Sequence, residues 1–244
     1  MINKILLQSL IKKYHLGEID QVKWVVKNKQ LSIDFQSINR ETLGNITCTD
    51  IDLPDSELAI FDTKKLLNLL SITQGDLLLE LEKTKDIFTK LVISDSDFNV
   101  TYALADLLLI PKVGKVNEPE WDCSFELEAE NINNLVKAKN ALNEVDNMVL
   151  TTEKDLNDDL MLKFTFGDEQ GHNNKITYQL YGEIHTDNIK LPFNSNMFRT
   201  ILKENSDMEV GSLKLNSQGL MKLEFQKETV KSTYFIVRKE QTNF

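Results

Sequence analysis

Hydrophobic and polar positions alternate with a period of two along much of this chain, and four short stretches switch to a period near 3.6. "KQLSIDF" puts Leu31, Ile33 and Phe35 on one face with polar residues between, the mark of a half-buried strand. "GDLLLELEKT" does the same with Leu77, Leu79 and Leu81, and further strands run to about Ala105. In the second half the strand pattern returns. "DCSFELEA" alternates Cys123, Phe125 and Leu127, "LMLKFTF" alternates Leu160, Leu162, Phe164 and Phe166, and "KITYQLYGEI" alternates Ile176, Tyr178, Leu180 and Ile184. "GLMKLEF" and "VKSTYFIV" close the chain as two more strands.

The helical stretches are "INKILLQSLIKK", a segment within "AIFDTKKLLNLL", "NINNLVKAKNALN" and "NSNMFRTILKE". In the first, Ile2, Ile5, Leu6 and Leu10 are expected on the buried face, with Lys4, Gln8 and Lys12 as one polar stripe and Lys13 off it. Asp62 or Thr63 is the natural cap of the second. In the third, Ile132, Leu135, Val136 and Leu142 face inward. Lys139 falls on that apolar face, so either the helix ends early or the lysine snorkels outward.

One design occurs twice. Shifting residues 59–70 by 132 positions superposes Phe61 on Phe193, Asp62 on Asn194 and Thr63 on Ser195, with Leu66, Leu69 and Leu70 on Phe198, Ile201 and Leu202. Each half reads helix, strands, helix, strands, a period too long for a solenoid repeat. "LLLIPKVGKVNEPEWD" has no sustained period and carries two of the four prolines, so it reads as a connector. The expected organisation is a domain over 1–106, a connector over 107–121 and a second domain over 122–244. The halves differ at their starts: no strand is expected before the first helix, whereas "DCSFELEA" precedes the third.

Composition narrows the class. The chain has 244 residues, is 41% hydrophobic and 27% charged, and has a net charge of −10. That is globular, with room for two cores. The acidity excludes a surface that binds nucleic acid throughout, but leaves room for a local basic stripe. No apolar run reaches the roughly 18 residues that span a bilayer, and "KILLQSLI" is too short for a signal peptide. Cys48 and Cys123 read as buried or half-buried thiols in a reducing compartment, so a soluble intracellular protein is expected.

Catalytic chemistry is not visible. There is no phosphate-binding GxxxxGK[ST], no GxGxxG turn, no HExxH and no paired CxxC. His15, His172 and His185 are expected in or beside loops or strand ends as solvated side chains, and "NDD" (157–159) and "DEQ" (168–170) as turns. No metal, no cofactor and no enzymatic activity is expected.

The duplication, the four short helices and "LAIFDTKKLLNLLSI" resemble the sliding clamps of tailed bacteriophages, DNA polymerase processivity factors related in fold to proliferating cell nuclear antigen. "DFQSI", "AENINNLVKAKNAL" and "GLMKLEFQ…STYFIV" are similar to clamp segments in the same order. The resemblance implies an α+β fold of two tandem clamp domains, with antiparallel sheets outside and helices lining the hole of a homotrimeric ring. It implies enclosure of duplex DNA without sequence reading, an ATP-dependent loader, a tethered DNA polymerase, and residence in the replisome of the host cytoplasm. DNA-facing residues would be Lys4, Lys12, Lys64, Lys65, Lys137, Arg199 and Lys203. A partner-peptide groove would use Ile38, Leu109, Ile110, Val113, Phe235 and Val237. Subunits would meet along edge strands near 98–105 and 176–184, at Tyr102, Tyr178 and Leu180. The rival reading is a duplicated, β-rich virion structural or assembly protein; it gives no reason for basic residues to gather on the helices. A hydrolase built from scattered carboxylates is the second rival.

Overall fold

The computed structural model describes residues 1–167 and 174–240. The chain falls into two compact units, residues 1–114 with 228–232, and residues 115–227 with 233–240. The break at Gly114–Lys115 lies within the aperiodic stretch.

The first unit runs β1 (Ile2–Asn3), α1 (Lys4–His15), β2 (Val22–Lys27), β3 (Gln30–Gln36), β4 (Thr42–Cys48), β5 (Ser56–Ile60), α2 (Thr63–Ser71), β6 (Asp76–Thr84), β7 (Ile87–Ser94) and β8 (Asn99–Ala103). A single 3-10 turn, Leu107–Leu109, follows. The strands pair in the orders β1-β6-β7-β8 and β5-β2-β3-β4, all antiparallel.

The second unit runs β9 (Cys123–Leu127), α3 (Ala129–Ala141), β10 (Asn147–Lys154), β11 (Leu160–Gly167), β12 (Lys175–Tyr181), β13 (Glu183–Ile184), β14 (Lys190–Asn194), α4 (Ser195–Glu204), β15 (Val210–Asn216), β16 (Leu220–Lys227) and, from Thr233 on, β17 (Val230–Val237). Its orders are β9-β15-β16-β17 and β14-β10-β11-β12. Strand for strand this repeats the first unit, with β13 added beside β9. Gly182 makes that addition possible: a Cβ there would sit 2.5 Å from the Phe125 ring and 2.6 Å from the Ser124 carbonyl.

The topology corrects the expected start. A strand does precede the first helix: Ile2 pairs with Leu77 and Asn3 with Asp76, as the short counterpart of β9. Committing Ile2 to a sheet moves the helical phase. The buried stripe of α1 is Leu7, Leu10, Ile11 and Tyr14, while Ile5 is exposed and Leu6 half-buried. Lys13, expected off the polar stripe, is buried.

Each helix starts on a capped turn. Asn3 Oδ1 accepts from Ile5 N at 2.9 Å, Asp62 Oδ1 from Lys65 N at 2.7 Å, and Asn194 Oδ1 from Met197 N at 3.1 Å. Glu128 and Asn131 form a reciprocal capping box at α3. The repeat extends to the next residue: the Thr63 hydroxyl donates to Asp20 O at 2.8 Å and the Ser195 hydroxyl to Val145 O at 2.7 Å. Cores close over these helices. Leu66 and Leu70 are buried in the first unit, and Phe198 stacks on Phe164 at 5.8 Å in the second. Each such side chain contributes roughly 1.5–3 kcal/mol.

Both cysteines are buried and free. Burial pushes the Cys48 thiol up, and the Cys123 thiol up to about 12. In the first unit, Thr49 N donates to Thr229 O at 3.0 Å, tying residues 228–232 to the end of β4.

Candidate nucleic-acid interface and partner groove

Adjacent lysines at the start of α2 lie at the positive end of a helix dipole, where cations are disfavoured. Two carboxylates resolve this. Asp62 Oδ1 accepts from Lys65 N, and Asp20 Oδ1 from Lys64 N at 3.3 Å. The side chains of Lys64 and Lys65 stay exposed.

The same separation holds across all four helices. They carry nine Lys or Arg and two Asp or Glu, in a chain that has 28 and 38. Of the seven cations expected to face DNA, Lys12, Lys64, Lys65, Lys137 and Lys203 are exposed. Lys12 shares its face with Gln8 and Ser9, and Lys137 with Asn133 and Asn140. These faces are neutral or basic apart from Glu130 in the first turn of α3 and Glu204 at the end of α4.

Lys4 and Arg199 have other partners. Lys4 Nζ donates to Ser71 O at 3.0 Å and also to Thr73 O, so its charge closes the C-terminus of α2. Arg199 Nη1 donates to Asn140 Oδ1 and Asn143 Oδ1, both at 3.1 Å, and ties α4 to the end of α3.

Lys139 settles neither way expected of it. The helix continues to Ala141, and the side chain is fully buried. Its Nζ donates to Leu142 O at 3.2 Å and Asn143 O at 2.9 Å, capping the helix from within. Desolvation, then the charge of Arg199, holds its pKa below the usual lysine value.

His15 ends α1, beside the loop that follows, but its side chain is not the solvated one expected. It is half-buried, with Nδ1 3.0 Å from Ile19 O. His185 is exposed. His172 and "DEQ" (168–170) lie outside the described residues. Residues 157–159 form a turn in which Asp155 Oδ1 accepts from Asn157 N and Asp159 N. Among the described residues, no three His, Cys, Asp or Glu are grouped to hold a metal. No helix there is long and apolar enough to cross a membrane.

The groove residues separate by unit. Ile38 is 89% exposed at the tip between β3 and β4, where Ser37 N donates to Thr42 O and Asn39 Oδ1 accepts from Glu41 N. With half-buried Val113 it lines a cleft of about 410 Å³ that also includes Ile19, Pro111, Asp20 and Arg40. Leu109 and Ile110 are not among its lining residues; Leu109 is exposed on the 3-10 turn. In the second unit, Phe235 lies under Lys222 Nζ at 5.6 Å, and Val237 is exposed. Lys222 also pairs with Glu118 at 2.8 Å and Glu224 at 3.2 Å.

Among the described residues, β8 and β12 each end a sheet, with a strand partner on one side. Their side chains are not equally available. Tyr102 is buried, its hydroxyl donating to Asp62 O and accepting from Asp62 N. Leu180 is buried, and the Tyr178 hydroxyl accepts from Asn131 Nδ2. The exposed members of these edges are Asn99, Thr101 and Ala103 on β8, and Lys175, Thr177, Gln179 and Tyr181 on β12.

A duplicated unit with two sheets, two helices and this strand order is shared by known structures. Over 98% of this chain and 96% of that one, it superposes on proliferating cell nuclear antigen from Entamoeba histolytica, with a TM-score of 0.76 at 15% identity. The fold is that of the sliding clamps. A second clamp structure of this fold, from A. fulgidus and bound to the C-terminal region of FEN-1, gives a TM-score of 0.77 at 12% identity, over 99% of this chain and 98% of that one. The PCNA2–PCNA3 complex of Sulfolobus tokodaii gives 0.74 at 12%, over 98% of each chain. No protein-family model and no curated protein matches the sequence.

Proposed function

We propose that this chain is a sliding clamp. Three copies close head to tail around duplex DNA and tether a DNA polymerase, and an ATP-dependent loader opens the ring. The observation that carries this reading is the charge separation on a clamp fold: an acidic protein keeps its helices basic. Phosphates are contacted without reading sequence, as enclosure requires. Lys12, Lys64, Lys65, Lys137 and Lys203 do this, with Lys4 and Arg199 shaping the faces beside them. β8 and β12 join subunits through heterologous pairing that closes by rotation. The cleft at Ile38 and Val113 receives an apolar client peptide. The A. fulgidus clamp bound to a C-terminal region and the Sulfolobus complex of two clamp chains support the last two roles.

The test has two readouts. Light scattering over a concentration series is expected to approach three times the 28.1 kDa chain mass. Labelled protein closed on nicked circular DNA is expected to stay bound and to run off after linearisation. Equal retention on both forms means ordinary surface binding and sinks the reading.

A further inference from the structure

The two units repeat a backbone seam but not its charge. In the first, Leu104 N donates to Thr89 O at 2.9 Å and Ala105 N to Ala59 O at 3.1 Å. In the second, Arg238 N donates to Gly219 O at 2.8 Å and Lys239 N to Pro192 O at 2.9 Å. The second seam is lined by Lys190, Arg238 and Lys239, with Glu240. The first is a cleft of about 480 Å³ whose ionisable lining groups are Glu57, Asp86 and Asp106. Its walls are apolar: Ala59, Ile87, Phe88 and Leu107. The fold therefore does not dictate the sign of charge here; the side chains do.

The acidic seam also leaves apolar surface in water. Ile87 is 70% exposed, and Leu107, Leu108 and Leu109 are all exposed, Leu108 to 91%. Such a concentration beside one cleft marks a contact surface. The turn that presents the leucines is held by Asp106 Oδ1, which accepts from Leu108 N at 2.8 Å. Asp86 has no partner among the described residues, whereas Glu57 pairs with Lys23 at 3.1 Å. The nearby cation Lys83 lies over one face of the Phe88 ring at 4.4 Å.

We propose that this seam is a second docking groove, taking a short peptide with an aliphatic or aromatic anchor flanked by Lys or Arg. The anchor fits between Ile87 and Leu107, and the flanking cations meet Asp86 and Asp106. Charge complementarity selects this occupant: an acidic peptide would bring like charges together. The groove belongs wholly to the first unit, so it does not rest on ring closure or on the Ile38 cleft.

The probe is a fluorescein-labelled peptide of two Arg, Phe-Leu and two Lys, titrated with the full chain and read by anisotropy. Saturable binding is expected, weakened about tenfold by Ile87→Ser and about tenfold by Asp86→Asn with Asp106→Asn, and unchanged by Ile38→Asp. Asparagine at 106 keeps a capping oxygen, so the turn stays formed. A peptide with Glu replacing Arg and Lys is expected not to bind. Absence of saturable binding overturns the proposal. So does binding lost through Ile38→Asp, or binding indifferent to both groove variants.

Discussion

The buried ammonium of Lys139 donates to the backbone carbonyl of Asn143 at 2.9 Å, while Arg199 holds the side chain of the same asparagine at 3.1 Å. Two cations thus converge on the end of α3. Lys139→Ala leaves a cavity and two unpaired carbonyls, and a loss of about 2–4 kcal/mol is expected in urea unfolding. Lys139→Met fills the space and removes the buried charge, so its loss is expected to be less than half of that.

The same residue makes a pH prediction. Its folded pKa lies below the ordinary 10.5, with Arg199, Asp146 and Glu144 as the charges acting on it. Between those two values the unfolded chain holds a proton that the folded chain has released, so stability rises with pH in that window. The gain is complete above 10.5 and is lost as pH falls through the folded value. Lys139→Met is expected to lack this increment. Parallel wild-type and variant stability curves from neutral to alkaline pH would refute the assignment.

Lys4 is expected to act on stability before it acts on DNA. Lys4→Met removes bonds to Ser71 O and Thr73 O and is expected to cost about 1–2 kcal/mol in denaturant unfolding. Lys12→Met, at an exposed position, is expected to stay within about 0.5 kcal/mol of wild type. Equal losses in both variants would contradict the capping role.

Reversing Lys12, Lys64, Lys65, Lys137 and Lys203 to Glu together is expected to abolish retention on nicked circular DNA without changing the oligomer. Single reversals are expected to have small effects, because exposed charges are screened over about 8 Å at physiological salt. Loss of the oligomer in the fivefold variant would count against phosphate contact as the role of these side chains.

Edge pairing is best tested away from the core. Thr177→Lys with Gln179→Lys puts charge along β12 without touching buried Leu180, and charged edges resist strand addition. The expected product is a folded monomer by light scattering. A mass unchanged from wild type would move the subunit contact elsewhere.

Much of the fold was legible because alternation and capping are local. Asp62 and Asn194 are the caps at the two positions the repeat equates, and Leu31, Ile33 and Phe35 point inward as alternation requires. Three features were not legible. β1 is two residues long, and its pairing with Leu77 depends on a partner 75 positions away. Lys139 was assigned by periodicity to an apolar face, but its bonds go to carbonyls made available only when α3 ends. Lys4 lies on a polar stripe in the sequence, yet its partners end another helix. Exposure of Lys12, Lys64, Lys65, Lys137 and Lys203 followed from amphipathic spacing. The acidic seam carried no signal, since Glu57, Asp86 and Asp106 come from three separate segments.

Residues 228–232 belong to the first unit, although 113 residues of the second separate them from Gly114. During synthesis the first unit therefore lacks a piece of itself until residues 115–227 of the second have been made. At roughly 5–20 residues per second those 113 residues take about 6–23 s to add. Until then, Thr49 N at the end of β4 lacks the Thr229 carbonyl that accepts from it. A nascent chain stalled at residue 227 is expected to exchange the amide of Thr49 faster than the released protein does. Order of emergence from the ribosome, and not only sequence, governs when this half becomes complete.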